Sequence, residues 1–393
     1  MTRRSLRHAL LTTTVFVIAG SLAAGLSGCS APASSAPASA DDTDWNALSQ
    51  EELVQRATEE GQVVVYSFTS RIAAIEKSFE KKYPGIDLVA SDISSSELIT
   101  RLASENAAGS ATADVAYVSD APVVVTELLA GGVLEPYVPP RVADALPDQY
   151  RTPLVANRLS TKVLMYNEEA NPAGPPVSNL WELTEPAWAG RVLLVDPSVR
   201  GDYLDLATEM SLRSDEMATA YSDYFGKEIS LDDGVPDAGL QFMKDLYAND
   251  VVLVDDTDTV NAAVGATGQK APPVGFTSYS DRRDNADEGW ALQVAAGVAP
   301  SPGILFPAYL GVTANAANPA AARLLIDFMM GDDTDTGGVG FEPFYVAGDY
   351  PTRTDVTAPA DALGLDELGA WQIDPEASAQ RRSAVADFLL TIQ

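Results

Sequence analysis

The 393-residue chain carries 56 Asp+Glu against 25 Lys+Arg, a formal charge of −31, with 46% hydrophobic residues and a mean hydropathy of −0.01. That length supports two domains with cores of their own, and the hydropathy is that of a globular chain. The acidity disfavours nucleic acid and anionic lipid surfaces as partners.

Arg3, Arg4 and Arg7 precede an apolar run over 9–26, and Leu26-Ser27-Gly28-Cys29 follows. The pattern is that of an export signal rather than a membrane span. LSGC resembles the lipobox of bacterial lipoproteins, in which the cysteine is lipidated and becomes the first mature residue. Cys29 is the only cysteine in the chain. Thr2-Arg3-Arg4-Ser5-Leu6 also resembles a twin-arginine signal. Residues 29–44, rich in Ser, Ala, Pro and Asp, cannot bury a core and read as a flexible tether. Cleavage before Cys29 removes three arginines and no acid, leaving a net −34. It also removes His8, the only histidine. Ser-His-Asp and Cys-His nucleophiles, histidine zinc sites and CxxC redox chemistry are then excluded.

Strand and helix patterns alternate through the rest of the chain. Ser49 and Glu52 form a capping box that opens a helix running to Gly61. VVVYS (63–67) reads as a buried strand, 70–83 as a helix ended by Pro84-Gly85, and IDLVA (86–90) as a second strand. Ser94 and Glu97 open another helix. DVAYV (114–118) is a third strand, and a helix is expected from Pro122 to Ala130. KVLMY (162–166) and RVLLV (191–195) are strands, the latter leading to a helix near Asp202. Helices are expected over 236–248 and 259–266, then a strand in VGF (274–276), one near 291–296, and an apolar run over 304–312. Asn318-Pro319 and Asp374-Pro375 each place a cap before a proline at the first helical position. The predicted fold is α/β, with mainly parallel sheets flanked by helices.

In such sheets ligands bind beyond the carboxyl ends of strands. The segments there are SFTS (67–70), SSS (94–96), SD (119–120), SVRG (198–201) and TSYSD (277–281), and nearly all open a helix. Helix N-termini offer free N–H groups and a positive dipole end to anions and polar ligands. Each such segment also serves as a plain cap. Five together point to a shared polar cleft. The two DDTDT runs (255–259 and 332–336) lack the glycine and terminal glutamate of a calcium loop and read as solvated acidic loops. Trp181, Trp188, Trp290, Trp371 and the Tyr221/Tyr224 pair read as packing residues.

Several stretches resemble, in order and spacing, the type II periplasmic binding proteins of ABC importers, in the branch of ferric-ion, phosphonate, sugar-phosphate and polyamine receptors. They are VVVYSFTSRIAAIEKSFEKKYPGI, ADVAYVSDAP, SNLWELTEPAWAGRVLLVDPSVRG, PPVGFTSYSDRRD, NPAAARLLIDFMMG and YPTRTDV, together spanning most of 60–355. The resemblance implies two α/β lobes that close on a ligand by a hinge motion. Lobe 1 would comprise 45–165 and 300–352, and lobe 2 would comprise 166–299 and 353–393. It also implies a monomeric, lipid-anchored receptor on the outer face of the membrane. Such a receptor delivers its solute to a permease and an ATPase subunit, has no cofactor and performs no catalysis.

The ligand residues expected on this basis are Ser67, Thr69, Ser70, Ser95, Ser96, Ser119, Asp120, Arg200, Gly201, Thr277, Ser278, Tyr279 and Asp281. Ferric receptors of the branch use two adjacent tyrosines with His, Glu and a bound anion. Here the matching loop has Tyr279-Ser280, the histidine position falls near Ser70 and the glutamate position near Ser119. Tyr279 and Asp281 would be the metal ligands if iron is the cargo, with Asp120 as a further oxygen donor. Arg200 points instead to a small anion or zwitterion, because arginine at a helix N-terminus is a bidentate partner for carboxylate, phosphate or phosphonate. Its bland alternative is a pairing with Asp202 or Asp205. A secreted enzyme using carboxylate acid–base chemistry and a receptor that signals without transport are the alternatives in other classes.

Overall fold

The computed structural model describes residues 43–393. The signal segment, Cys29 and nearly all of the expected tether lie outside the described residues. Twelve strands form one sheet: β1 (Gln62–Ser67), β2 (Asp87–Asp92), β3 (Val115–Val118), β4 (Leu134–Glu135), β5 (Val155–Asn167), β6 (Val192–Val195), β7 (Val252–Val254), β8 (Val274–Thr277), β9 (Leu292–Val294), β10 (Gly303–Thr313), β11 (Tyr350–Pro351) and β12 (Trp371–Gln372). The longer helices are α1 (Gln50–Glu60), α2 (Ile72–Lys82), α3 (Ser95–Ala107), α4 (Gly201–Leu212), α5 (Ser214–Phe225), α6 (Ala238–Ala248), α7 (Thr257–Gly265), α8 (Pro319–Met329) and α9 (Pro375–Ile392).

The principal strand order is β2-β1-β3-β10-β5-β8-β6-β7. The sheet is mixed rather than mainly parallel. β2, β1 and β3 are mutually parallel, as are β8, β6 and β7. Between these blocks, β10 runs antiparallel to β3 and β5, and β5 runs antiparallel to β8. Two long buried strands therefore join two short parallel blocks.

Ser49, Ser94 and Asp374 cap their helices as the sequence suggests, whereas the Asn318 side chain makes no cap bond and donates instead to Asp114 Oδ2 at 3.0 Å. Ser49 and Glu52 form a reciprocal capping box, and Gly61 closes α1 in the left-handed region at φ 74°. Asp374 accepts from the backbone N–H groups of Glu376 and Ala377 at the start of α9. One apolar cluster lies under α1, α2 and α8, around Val63, Phe79 and Leu325. The other gathers α4, α6 and α9 around Tyr203, Phe242 and Leu389. Trp181 packs edge-on against Tyr221 at 4.9 Å and Phe242 at 5.3 Å, so this tryptophan and tyrosine serve the core.

Three local expectations change. The segment after Pro122 makes one α turn and continues as a π-helix over Val124–Leu129. The short strand β7 went unanticipated. β5 begins at Val155, seven residues before the expected start, and all 13 of its residues are buried. The missed part reads Asn157-Arg158-Leu159-Ser160-Thr161-Lys162, with polar residues alternating on one face, and so lacks the apolar run of a core strand.

Candidate functional site

A cavity of about 300 Å³ opens where the carboxyl ends of the two parallel blocks face each other. After β1 it is lined by Phe68, Thr69, Ser70 and Arg71, and at the end of β2 by Asp92. Arg158, Ser160 and Lys162 line it from β5, at every second residue and hence on one face of the strand. Arg200 and Asp202 come from the start of α4, and Asp256, Thr257 and Asp258 from the start of α7. Ser278, Asp281 and Arg283 follow β8. Three helices, α2, α4 and α7, thus begin at the cavity and bring the positive ends of their dipoles to it.

Five cations and five carboxylates line the cavity, and the buried ones pair in clusters. Arg158 donates through Nη1 to Asp349 Oδ1 at 2.5 Å and through Nε to the Tyr117 hydroxyl at 2.9 Å. Arg71 donates through Nη1 to the other oxygen of Asp349, at 2.5 Å, and to the Pro343 carbonyl at 3.2 Å. One fully buried carboxylate therefore serves two arginines. At the other end of the polar face of β5, Lys162 Nζ lies 3.2 Å from Asp202 Oδ2 and donates to Ser278 Oγ at 2.8 Å. Arg200 donates to both oxygens of the same Asp202, at 3.2 and 2.9 Å. Again two cations share one carboxylate. The third cluster has the opposite ratio: one cation, Arg283, pairs with two acids, Asp281 at 2.9 Å and Asp284 at 3.1 Å.

These contacts set the charge states. Burial works to raise Asp202, but Lys162 and Arg200 outweigh it and hold the carboxyl well below the usual carboxylate range. Burial lowers Lys162, and Asp202 only partly offsets it. Burial likewise opposes ionisation of Asp281, yet Arg283 and the Asn261 amide keep it low. Asp202 and Asp281 are thus held as carboxylates, and the cations that share them and Asp349 keep hydrogens directed at the cavity, where an anionic group could accept them.

Of the residues expected from the sequence, Thr69, Ser70, Arg200, Ser278 and Asp281 line this cavity. Ser67 is buried behind it and closes the turn to Thr69. Thr277 is also buried and donates to Asn261 Oδ1 at 2.8 Å. Gly201 lies behind Arg200, where a Cβ would collide with Asp120 Oδ2. Tyr279 does not line the cavity. It is 1% exposed, its N–H donates to Thr161 Oγ1 at 2.9 Å, and its hydroxyl reaches the Asp361 carbonyl at 3.5 Å. Gly348, at φ 96°, packs so closely on the Tyr279 ring that a Cβ could not fit there.

Two of the five polar segments lie elsewhere. Ser95 Oγ meets Ser119 Oγ at 3.0 Å, buried, and Ser96 is exposed. Asp120 is clamped by Arg382 of α9 at 2.6 and 3.0 Å. The end of β3 is thereby occupied by the C-terminal helix instead of facing the cavity. Arg71, Arg158, Ser160, Lys162 and Arg283 were not expected at the site. The R-x-S-x-K alternation over 158–162 is the signal that could have found three of them.

A second opening of about 350 Å³ lies among Gln50, Lys82, Tyr83, Arg141, Asp327 and Asp332. Its arginine is engaged by Asp327, Asp333 and the Gly331 carbonyl, and no β-strand contributes to its lining. The charged cavity is the better site. Among the described residues, no helix is long and apolar enough to cross a membrane.

No curated protein sequence matches the chain. Solved structures match its fold. Iron-bound HitA from Pseudomonas aeruginosa aligns over 84% of this chain and 99% of its own, at 18% identity and a TM-score of 0.65. The periplasmic binding protein AfuA from Actinobacillus pleuropneumoniae, with exogenous fructose-6-phosphate bound, aligns over 84% and 98% at 17% identity and a TM-score of 0.62. Apo ferric ion-binding protein A from Pasteurella haemolytica aligns over 84% and 98% at 16% and 0.62. A family model described as bacterial extracellular solute-binding protein matches residues 74–370, most of the described chain. The chain belongs to the bacterial extracellular solute-binding proteins.

Proposed function

We propose that this chain is the receptor of an ABC importer and captures a small phosphate- or phosphonate-bearing solute between two lobes joined by β5 and β10. The observation that carries the ligand class is the doubled cation at each shared carboxylate, Arg71 and Arg158 on Asp349 and Lys162 and Arg200 on Asp202. A bound anion would accept the arginine and ammonium hydrogens that the shared carboxylates leave unused. The ring of Ser and Thr hydroxyls and the three helix starts suit the same ligand. Cys29 would carry the lipid that tethers the domain to the outer face of the membrane, and the monomer would deliver its solute to a permease without bond chemistry.

A ferric cargo loses its main support, because Tyr279 faces away from the cavity and no other tyrosine lines it. Among the described residues no group of three or more His, Cys, Asp or Glu could hold a metal ion. The test is thermal unfolding of ligand-stripped 45–393 with inorganic phosphate, aminoethylphosphonate, hexose phosphates, polyamines and ferric citrate. A ligand at 100 times its dissociation constant adds about 2.7 kcal/mol. A rise with phosphorus-bearing anions, retained in Tyr279→Phe, is expected. A rise with ferric citrate alone, lost in Tyr279→Phe, would replace this reading with iron transport.

A further inference from the structure

The C-terminal helix α9 is fastened to the helices of the second parallel block. Ser378 Oγ donates to Glu209 Oε1 at 2.6 Å, and Arg381 Nε donates to Ser211 Oγ at 2.9 Å, both partners being on α4. One residue further, Arg382 crosses to the first block. Its Nη1 and Nη2 donate to the two oxygens of Asp120, two residues past the end of β3, at 2.6 and 3.0 Å. Nη2 also donates to the Gly201 carbonyl at 3.2 Å, and Nε lies 3.3 Å from Asp205 Oδ1. A single guanidinium fork thus ties the end of the first block to the first turns of α4. Gly201 is what lets the parts meet: a Cβ there would strike Asp120 Oδ2 and come within 2.7 Å of Arg382 Nη2. Apolar packing follows the same route. One cluster takes Ala121 and Val124 from the segment after β3, Tyr203 and Leu206 from α4, and Val385 and Leu389 from α9.

Gly201 stands between Arg200 and Asp202, and both of these line the cavity, which Arg382 does not. The bond to the Gly201 carbonyl therefore grips the backbone that carries two site residues. Resting on the two-lobed receptor reading, we infer that Arg382 is a positioning residue for solute binding. Through it, α9 fastens the two lobes behind the cavity and holds Arg200 and Asp202 across from Thr69 and Arg71. With this clamp broken, lobes joined by β5 and β10 sample wider separations by hinge motion. The binding-competent arrangement is then populated for only part of the time, and the apparent affinity falls by that fraction.

The test measures the distance between the lobes and the affinity together. Residues 45–393 form one compact unit and contain no cysteine. Spin labels placed through Lys77→Cys on α2 and Thr219→Cys on α5, both exposed, report the separation by pulsed electron paramagnetic resonance. Three variants loosen the clamp differently. Asp120→Asn removes the charge that Arg382 grips, and Gly201→Ala wedges the parts apart. Arg382→Lys keeps a cation beside Asp120 and Asp205 but loses the fork, so it should fold; circular dichroism checks all three. Each is expected to broaden the distance distribution of the free protein toward longer values. Each should also weaken binding of a hexose phosphate or aminoethylphosphonate at least tenfold by calorimetry, and saturation with the same anion should restore the wild-type distance. A merely structural role would lower the melting temperature and leave distance and affinity alone. Folded variants with wild-type distances and wild-type affinity overturn the inference, as does a change in only one of the two where the wild type binds an anion. A wild type that binds neither anion overturns the receptor reading, and the distances alone then decide the clamp.

Discussion

Asp202 and Asp205 lie one turn apart on α4 and titrate in opposite directions. At Asp202, burial is outweighed by Lys162 and Arg200, and the carboxyl is held low. At Asp205, burial and the neighbouring Asp120 raise it well above the ordinary value, against the pull of Arg382. Around Asp202 two cations share one acid. Around Arg382 two acids, Asp120 and Asp205, share one cation, at 2.6 and 3.3 Å. The first cluster opens to the cavity, and the second is sealed between α4, α9 and the helical segment after β3. The difference separates a site from a clamp. Two cations on one carboxylate beside an opening keep hydrogens free for an anion from outside, whereas two carboxylates on one cation in a closed space are relieved by keeping a proton.

The largest expected effect is at the clamp. Arg382→Ala strands Asp120 and Asp205 without their cation and should cost about 3–5 kcal/mol in denaturant unfolding. A loss under about 1 kcal/mol would mean that the sealed cluster does not hold these elements together. Next comes Asp202→Asn, which removes the counter-charge of Lys162 and Arg200 and should cost about 2 kcal/mol at neutral pH. Because Asp202 is depressed in the folded state, its contribution is present above the unfolded value of about 4 and is lost as pH falls through the folded one. Variant and wild type should therefore converge in acid, and a saturating anion should rescue the variant at neutral pH. The smallest effect is at Asp205. Its folded value is raised, so its contribution is full below about pH 4 and is lost as pH rises through the folded value. Asp205→Asn mimics the protonated acid and should change neutral-pH stability by less than about 1 kcal/mol while flattening the loss toward alkaline pH. An unchanged pH profile would show that Asp205 is not the group holding the proton.

Much of the fold was legible because its signals are local. Capping at Ser49 and Asp374, the left-handed stop at Gly61 and the apolar runs of β1, β3, β6 and β10 are written in neighbouring residues. Three of the five strand-end segments do meet at one cavity for the topological reason that made them candidates. The residues that escaped do so through long-range placement. Arg158 and Lys162 are buried polar side chains on a central strand, and alternation with a cavity on one side looks like alternation with solvent. Arg71 reads as a residue of an ordinary helix start until Asp349 arrives 278 residues later. Asp120 looks like a cleft residue until Arg382, on the last helix, closes over it. Tyr279 sits in the right loop, yet a glycine at 348 lets the chain pack on its ring and face it inward. None of these partners lies within the window a local pattern covers.

Anion binding by the cations that share a carboxylate depends most directly on Arg200. Its side chain is 25% exposed, and Asp202 keeps Lys162 when it is removed. The decisive measurement is the dissociation constant of the tightest phosphorus-bearing anion for wild-type 45–393 and for Arg200→Ala, by calorimetry at fixed salt. Anion capture by Lys162 and Arg200 predicts at least a tenfold weakening, about 1.4 kcal/mol, with the melting temperature of the free protein little changed. Equal affinity in the two proteins would place the solute elsewhere and contradict it.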